Sequence, residues 1–123
     1  MPFKISCLLF AKDLDSKLLL IKRNKSPNKG LWSPPGGKLE MDSGESPFEC
    51  AKREAHEEMK LNLDDHDLSL FGYVSEKNYE GGSHWLMFLF EILPNLTMIP
   101  DEIHEGQFKF FARNEIDTLG ISP

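Results

Sequence analysis

Apolar residues along the chain form short runs typical of β-strands, and these runs flank one segment with helical spacing. The first two predicted strands cover residues 3–12 and 17–23, with a polar turn at 13–16 between them. Residues 24–37 hold three prolines and three glycines, which predicts a loop with at most short pieces of strand. The remaining predicted elements are a strand at 68–76, a turn at 78–83, strands at 84–93 and 108–112, and a helical turn at 114–119.

The segment 46–61 is the predicted helix. Ser46 is a favourable N-cap residue, Pro47 suits the first helical position, and Glu49 lies three residues after the cap, as in a capping box. One long helix with strands before and after it predicts an α/β or α+β fold with a mixed sheet. The length of 123 residues is that of one domain.

The acidic residues are concentrated around the predicted helix. The chain has 14 basic and 20 acidic residues, and the window 38–67 alone carries the whole net charge of −6. An acidic chain without an apolar run of about 20 residues is not expected to bind bulk nucleic acid or to span a membrane. Two cysteines do not make a disulfide framework, so we expect a reducing, cytoplasmic setting.

Three glutamates of the predicted helix are spaced so that they share one face. Glu54, Glu57 and Glu58 are three or four residues apart, and they lie beside the apolar stripe, at the edge of the core. Arg53 is placed to pair with Glu49 or Glu57, but one arginine does not neutralise three carboxylates. Two interpretations remain open, a solvated charged face and a site for a hard divalent cation such as Mg²⁺. The apolar stripe consists of Phe48, Ala51, Ala55 and Met59.

The loop and helix together resemble the Nudix box. Trp32 precedes a Pro-Gly-Gly run that ends at Gly37, and Glu45 is followed after seven residues by Arg53-Glu54 and then by Glu57-Glu58. Two departures affect the loop and the helix end. Seven residues instead of five separate the glycine from the first glutamate, and Lys60 replaces the glycine that usually ends the helix, so Asn62 is expected to end it instead.

The resemblance implies a fold and a set of roles. It implies a Nudix-like α/β/α sandwich with a mixed central β-sheet over residues 1–123, with the presence of a further C-terminal helix left open. It implies Mg²⁺, with Mn²⁺ as the alternative, and hydrolysis of a pyrophosphate bond in a nucleoside diphosphate linked to another moiety. The implied metal ligands are Glu54, Glu57, Glu58 and the carbonyl of Gly36. The implied catalytic residues are Glu54, Arg53, Glu57 and Glu105.

Residues on the substrate side are expected near the glycine loop. The candidates are Arg23, Lys22, Gly37, Trp32 and His84. Glu105 is favoured over Glu102 as the carboxylate that completes the site. Four other aromatic residues are candidates for base stacking or for the core, namely Phe71, Tyr73, Trp85 and Phe88.

Several functional alternatives stay open. The small size favours a nucleoside triphosphate or a related small nucleotide as substrate, and ADP-ribose, other nucleotide sugars and dinucleoside polyphosphates are the alternatives. A non-catalytic nucleotide-binding module and an unrelated acidic interaction domain are the rival classes, and retention of all three helix glutamates favours an enzyme. The expected partner is a small nucleotide, and the chain is expected to be a monomer or a homodimer.

Overall fold

The computed structural model describes residues 3–24, 30–79 and 83–117, apart from the side chains of Asn78 and Tyr79. Strands are the most frequent regular element among these residues, and one long helix follows the fourth strand. The strands are β1 (Phe3–Phe10), β2 (Leu18–Arg23), β3 (Trp32–Ser33), β4 (Gly36–Lys38), β5 (Leu68–Tyr79), β6 (Ser83–Ile92) and β7 (Gly106–Phe111). The helices are α1 (Pro47–Met59) and the single turn α2 (Arg113–Ile116), and short 3-10 turns cover Met41–Ser43 and Asp65–Asp67.

The strands form two sheets. The first has the order β4-β1-β6-β5, in which β1 and β6 are parallel while β4 and β5 pair antiparallel with their neighbours. The second is antiparallel, with the order β3-β2-β7. The predicted α+β class with a mixed sheet is therefore confirmed. The separate three-stranded sheet adds a division that the pattern of apolar runs does not reveal.

Helix α1 begins as the sequence predicts. The Ser46 hydroxyl accepts a hydrogen bond from the Glu49 amide at 3.2 Å, and the Glu49 carboxylate accepts one from the Ser46 amide at 2.8 Å. Both bonds satisfy backbone N–H groups that have no partner inside the helix. Pro47 occupies the first helical position, where a missing N–H costs nothing.

The helix ends differently from the prediction. Lys60, not Asn62, adopts the left-handed conformation, with φ of 60° and ψ of 30°. Its amide donates to the carbonyl of His56 at 3.1 Å, and the Leu61 amide donates to the carbonyl of Ala55 at 3.2 Å. These bonds satisfy the last carbonyls of the helix, so Lys60 takes the place of the usual glycine in spite of the steric cost of its side chain.

The core lies between α1 and the two sheets. Ala51 and Ala55 of α1 are fully buried, and their small side chains allow the helix to approach the sheet closely. Leu9 of the first sheet and Ile21 of the second belong to the same apolar cluster, together with the fully buried Phe90 of β6. The helix contacts β1 and β4 of the first sheet, and residues of the helix and of both sheets share one apolar core.

Other boundaries move by a few residues. Strand β5 continues to Tyr79 and β7 begins at Gly106, so both are longer than the predicted 68–76 and 108–112. Of the predicted turn at 78–83, residues 80–82 lie outside the described residues, as do residues 118–119 of the predicted helical turn. No helix in the described part of the chain is both long and apolar enough to cross a membrane.

Candidate active site

Two glycines of β4 lie directly beneath α1. Gly36 has a φ of 151° and is paired with Leu8 of β1, and a Cβ at this position would overlap the carbonyl oxygen of Cys7. A Cβ on Gly37 would overlap the carboxyl group of Glu54. Only glycine allows the backbone of β4 to approach the neighbouring strand and the helix this closely.

Glu54 and Glu58 are one helical turn apart and both are buried, with exposed fractions of 8% and 6%. The amide of Gly36 donates to Oε1 of Glu58 at 3.1 Å, and Nη1 of Arg53 donates to Oε2 of Glu54 at 3.0 Å. The predicted position at the edge of the core is confirmed. The burial is deeper than the partial shielding that the helical spacing predicts, because the glycine strand covers the two carboxyl groups.

Burial of these carboxyl groups disfavours their charged forms. Desolvation, together with the neighbouring charges of Glu54 and Glu105, raises the pKa of Glu58 to about 8. The Gly36 hydrogen bond and the charge of Arg23 oppose this rise. Desolvation also raises the pKa of Glu54, against the opposing charge of Arg53. The protein therefore holds buried acidic groups whose ionised forms lack sufficient positive charge nearby.

Arg53 is bound mainly to a carboxylate that precedes the helix. Its Nε and Nη2 donate to the two carboxylate oxygens of Glu45 at 2.7 and 2.9 Å, and Nη2 also donates to the carbonyl of Lys38 at 3.0 Å. The predicted partner Glu57 is bound at 3.2 Å. The other predicted partner, Glu49, is wrong, because its carboxylate caps the helix. The hydrogen bonds from Arg53 hold the pKa of Glu45 below its ordinary value.

Glu57 is more exposed than the other two helix glutamates, with 55% of its side chain accessible. The carboxylates of Glu54 and Glu57 both bind Nη1 of Arg53. Among the described residues, no three histidine, cysteine or acidic side chains are close enough together to hold a metal ion. The donor types nevertheless fit a hard divalent cation, because buried carboxylates with raised pKa values are stabilised by added positive charge.

Two more charged residues lie where β2 ends and just before β7 begins, namely Arg23 and Glu105. Arg23 is paired with Gly106, and the carbonyl of the adjacent Glu105 accepts a hydrogen bond from the Asn24 amide at 2.9 Å. The charge of Glu105 acts on both Glu54 and Glu58, and that of Arg23 acts on Glu58. Arg23 and Glu105 are therefore near enough to the buried carboxyl groups for their charges to affect the pKa of Glu58.

Lys22 lies on the opposite side of β2 from Arg23. Side chains alternate along a strand, and Leu19 and Ile21 face the core shared with α1, so Arg23 shares their face and Lys22 does not. Lys22 is exposed, and its strand partners are Trp32 and Gln107. The structure therefore brings only one of these two cations toward the carboxyl groups.

The remaining substrate-side candidates lie in different places. The Trp32 ring meets the Phe111 ring edge-on, with 4.8 Å between the centroids, so it has a packing partner. His84 is paired with Phe3 in the first sheet, and their rings are 5.5 Å apart. Phe3 is five residues from Leu8, the strand partner of Gly36, which puts His84 roughly 16 Å away along β1. The structure does not bring His84 to the carboxyl groups.

The other aromatic candidates divide between surface and core. Phe71 and Tyr73 of β5 are exposed, whereas Phe88 packs against the apolar core. The Trp85 ring has two ammonium groups near it, those of Lys4 and Lys38, each 5.6 Å from the ring centroid. This cation–π group follows from the strand register, which places Lys4 opposite Trp85, and the spacing of these residues in the sequence does not reveal it.

The two extra residues of the box form a closed turn. Residues Met41–Ser43 make one 3-10 turn that ends at Gly44, whose φ is 70°. The amide of Glu45 donates to the carbonyl of Glu40, and the amide of Glu40 donates to the carboxylate of Glu45 at 2.9 Å. The extra length is therefore absorbed before the helix, and the spacing from Glu45 onward is undisturbed.

Comparisons with known proteins identify the family of the chain. The family model of the NUDIX domain matches residues 2–122, and the chain belongs to this family. It is 32% identical to an ADP-ribose pyrophosphatase of Methanocaldococcus jannaschii over 109 residues, which make up 87% of this chain and 61% of that protein. It is 34% identical to an m7GpppN-mRNA hydrolase of Xenopus laevis over 70 residues, covering 55% of this chain and 23% of that protein. The chain spans less than two thirds of either relative.

Solved structures show the same fold. A MutT NUDIX hydrolase from Burkholderia pseudomallei has a TM-score of 0.77 at 25% identity, covering 94% of this chain and 87% of that one. The NUDIX domain of Shewanella oneidensis NrtR, solved with ADP ribose, has a TM-score of 0.74 at 16% identity, covering 98% and 78%. Nudix hydrolases generally use divalent metal ions such as Mg²⁺.

Proposed function

We propose that this chain is a Mg²⁺-dependent pyrophosphohydrolase that cleaves the pyrophosphate bond of a nucleoside diphosphate linked to another group. One observation carries the proposal. Glu54 and Glu58 are buried side by side against Gly36 and Gly37, while the nearest arginine makes its bidentate bond to Glu45. Buried acidic groups without enough positive charge are costly in a structural site, and they are suited to binding a cation.

Glu54, Glu57, Glu58 and the carbonyl of Gly36 would hold the metal ion, with Mn²⁺ as the alternative to Mg²⁺. When bound, such an ion neutralises phosphoryl oxygens and lowers the pKa of bound water. The chain itself supplies the orientation. Arg53 holds the Glu54 and Glu57 carboxylates, and the Gly36 amide holds that of Glu58. The Gly37 position has no side chain that would displace Glu54.

Water attacks one phosphorus of the pyrophosphate, the phosphorus–oxygen bond to the other phosphate breaks, and that phosphate leaves. No covalent enzyme intermediate is required. Arg23 would contact the substrate phosphates, and the effect of its charge on Glu58 supports this role. The general base is Glu54 or Glu105, both of which are carboxyl groups within electrostatic reach of Glu58.

The substrate class follows from size and from the relatives. A nucleoside triphosphate or a related small nucleotide is the first candidate. ADP-ribose is the second, and it is favoured specifically by the relative named ADP-ribose pyrophosphatase. Both substrates are small soluble anions, in keeping with the expected cytoplasmic setting.

A nucleotide panel tests the proposal. The chain is incubated with the nucleoside triphosphates, ADP-ribose, nucleotide sugars and dinucleoside polyphosphates, with Mg²⁺ or with excess chelator. Phosphate is counted after addition of pyrophosphatase for triphosphates, or of phosphatase for products with a terminal phosphate. We expect turnover of at least one class with Mg²⁺ and none with chelator. Binding of a nucleotide without turnover of any would refute the enzyme and favour the non-catalytic module.

Two glutamates before β7 provide a matched pair of variants. Both residues are exposed, but the charge of Glu105 acts on Glu54 and Glu58, whereas no role is assigned to Glu102. We expect Glu105→Gln to lower kcat by about 10²-fold or more, as loss of a general base or a ligand does, and Glu102→Gln to leave it unchanged. Equal activities of the two variants would remove Glu105 from the proposed site.

A further inference from the structure

The only two cysteines of the chain meet in the core. Cys7 is in the middle of β1 and Cys50 is in the first turns of α1, 43 residues further along. Their sulfur atoms are 3.2 Å apart, and both residues are fully buried as free thiols. A disulfide bond is about 2.05 Å long, so the two sulfur atoms have to approach by only about 1.1 Å to form one.

The thiol pair lies next to the glycine strand. Cys7 is the strand partner of Gly37, and Cys50 Sγ is 3.6 Å from the carbonyl oxygen of Gly37. The guanidinium of Arg53 is 3.8 Å from the same sulfur. A covalent bond here would tie α1 to β1 immediately beneath the candidate active site.

We propose that Cys7 and Cys50 are a site of reversible oxidation, at which a hydroperoxide such as hydrogen peroxide converts the two thiols into an intramolecular disulfide. One thiol attacks the peroxide, the oxygen–oxygen bond breaks, and a sulfenic acid and one water are formed. The second thiol then attacks the sulfenic sulfur, the sulfur–sulfur bond forms, and a second water leaves. Two electrons pass from the thiols to the peroxide, and a dithiol reductant restores them.

The surroundings of the pair favour a resting dithiol. The adjacent Cys7 thiol and burial raise the pKa of Cys50, so few molecules carry the reactive thiolate at neutral pH. Oxidation is therefore slow and requires local opening around the pair. Once formed, the bond closes a loop of more than 40 residues, which restricts the unfolded chain strongly.

Thiol mapping on the folded wild-type protein tests the proposal. The chain is treated with hydrogen peroxide without denaturant, the oxidant is removed, and remaining thiols are alkylated after denaturation and counted by mass spectrometry. We expect both thiols to disappear together, a peptide linking Cys7 to Cys50, and full recovery with dithiothreitol. The melting temperature of the oxidised form should rise by on the order of 10 °C, and dithiothreitol should remove the rise.

Two single variants provide the control. In Cys50→Ala the remaining Cys7 has no partner, and in Cys7→Ala the same holds for Cys50, so neither should show the rise in melting temperature. Peptide mapping of the wild type decides the matter even if a variant fails to fold. Thiols that survive the oxidant, sulfinic or sulfonic products in place of the linked peptide, or a linkage that forms only in denaturant would each overturn the proposal.

Discussion

Glu45 and Glu58 are both largely inaccessible to water, yet their surroundings have opposite effects. Both oxygens of Glu45 bind Arg53, which lowers its pKa. Glu58 has the amide of Gly36 and two other acidic groups nearby, and its pKa is raised to about 8. Arg53 therefore gives its bidentate bond to the carboxylate that shapes the loop and one further bond to Glu54, while Glu58 has no hydrogen bond from an arginine among the described residues.

The largest expected effect comes from Glu58→Gln, which keeps the shape of the side chain and removes its charge. We expect Mg²⁺-dependent turnover to fall by at least about 10²-fold, because the carboxylate that would bind the metal is replaced by a neutral amide. The melting temperature of the metal-free protein at neutral pH should not fall, since Glu58 is protonated there and the amide is a neutral group of similar shape. Unchanged turnover, measured beside the Glu102→Gln control, would remove Glu58 from the ligand set. The same test applies to Glu57→Gln.

The variant Arg53→Ala tests the other carboxylate of the comparison, Glu45, by removing its arginine partner. This change leaves Glu45 without its cationic partner and frees the carboxylates of Glu54 and Glu57. We expect the free energy of unfolding to fall by about 2–3 kcal/mol, because a partly buried ion pair is broken on one side. Urea denaturation without metal measures the loss. A change below about 0.5 kcal/mol would show that the pair has no greater effect than an exposed salt bridge.

The pH dependence of stability should separate the two carboxyl groups in the metal-free protein. Glu58 holds its proton up to a pH of about 8, whereas the unfolded chain releases it near 4.5, so its contribution to stability decreases as pH rises above about 4.5 and is fully lost above about 8. Glu45 has a lowered pKa, so its contribution is lost as pH falls below 4.5.

Denaturation curves at several pH values distinguish these contributions. Each group changes the slope by at most about 1.4 kcal/mol per pH unit. Glu58→Gln should flatten the profile only between about pH 4.5 and 8, and Glu45→Gln should flatten it only below about pH 4.5. Parallel profiles for the wild type and both variants would contradict the assignment.

The smallest expected effect is at the helix end, in a change that touches neither carboxyl group. Lys60→Gly places at a φ of 60° the residue that adopts it without steric cost. We expect a gain of about 0.5–1 kcal/mol in the free energy of unfolding, with turnover unchanged. Thermal unfolding measures the gain in stability, and the nucleotide assay measures the turnover. A loss of stability would mean that the side chain of Lys60 stabilises the fold by more than its left-handed backbone conformation costs.

The parts of the fold that could be predicted from the sequence depend on interactions between residues close together in the chain. Ser46, Pro47 and Glu49 interact only with their neighbours in the chain, and the structure contains the predicted capping box. The position of Glu54 and Glu58 beside the core also follows from helical spacing alone. The predicted strands differ from the observed ones mainly at their ends.

The features that could not be predicted depend on distant contacts or on small energy differences. The pairing of Arg53 with Glu45 depends on how an expanded loop folds back, whereas the helical spacing indicates only Glu49 and Glu57 as partners, of which Glu57 is observed. The division into two sheets depends on which strands pair, and apolar runs do not reveal pairing. Lys60 ends the helix because the bonds made by its amide and that of Leu61 outweigh a modest steric cost.

The turn between Glu40 and Glu45 has a practical consequence for protein engineering. Its two ends are held together by backbone and carboxylate hydrogen bonds, and its middle residues, from Met41 to Gly44, are exposed. The cost of closing a flexible loop grows only slowly with its length. A short peptide tag inserted between Asp42 and Ser43 would therefore extend into solvent, and the chain would carry a label a few residues from its candidate active site without a shift in helix register.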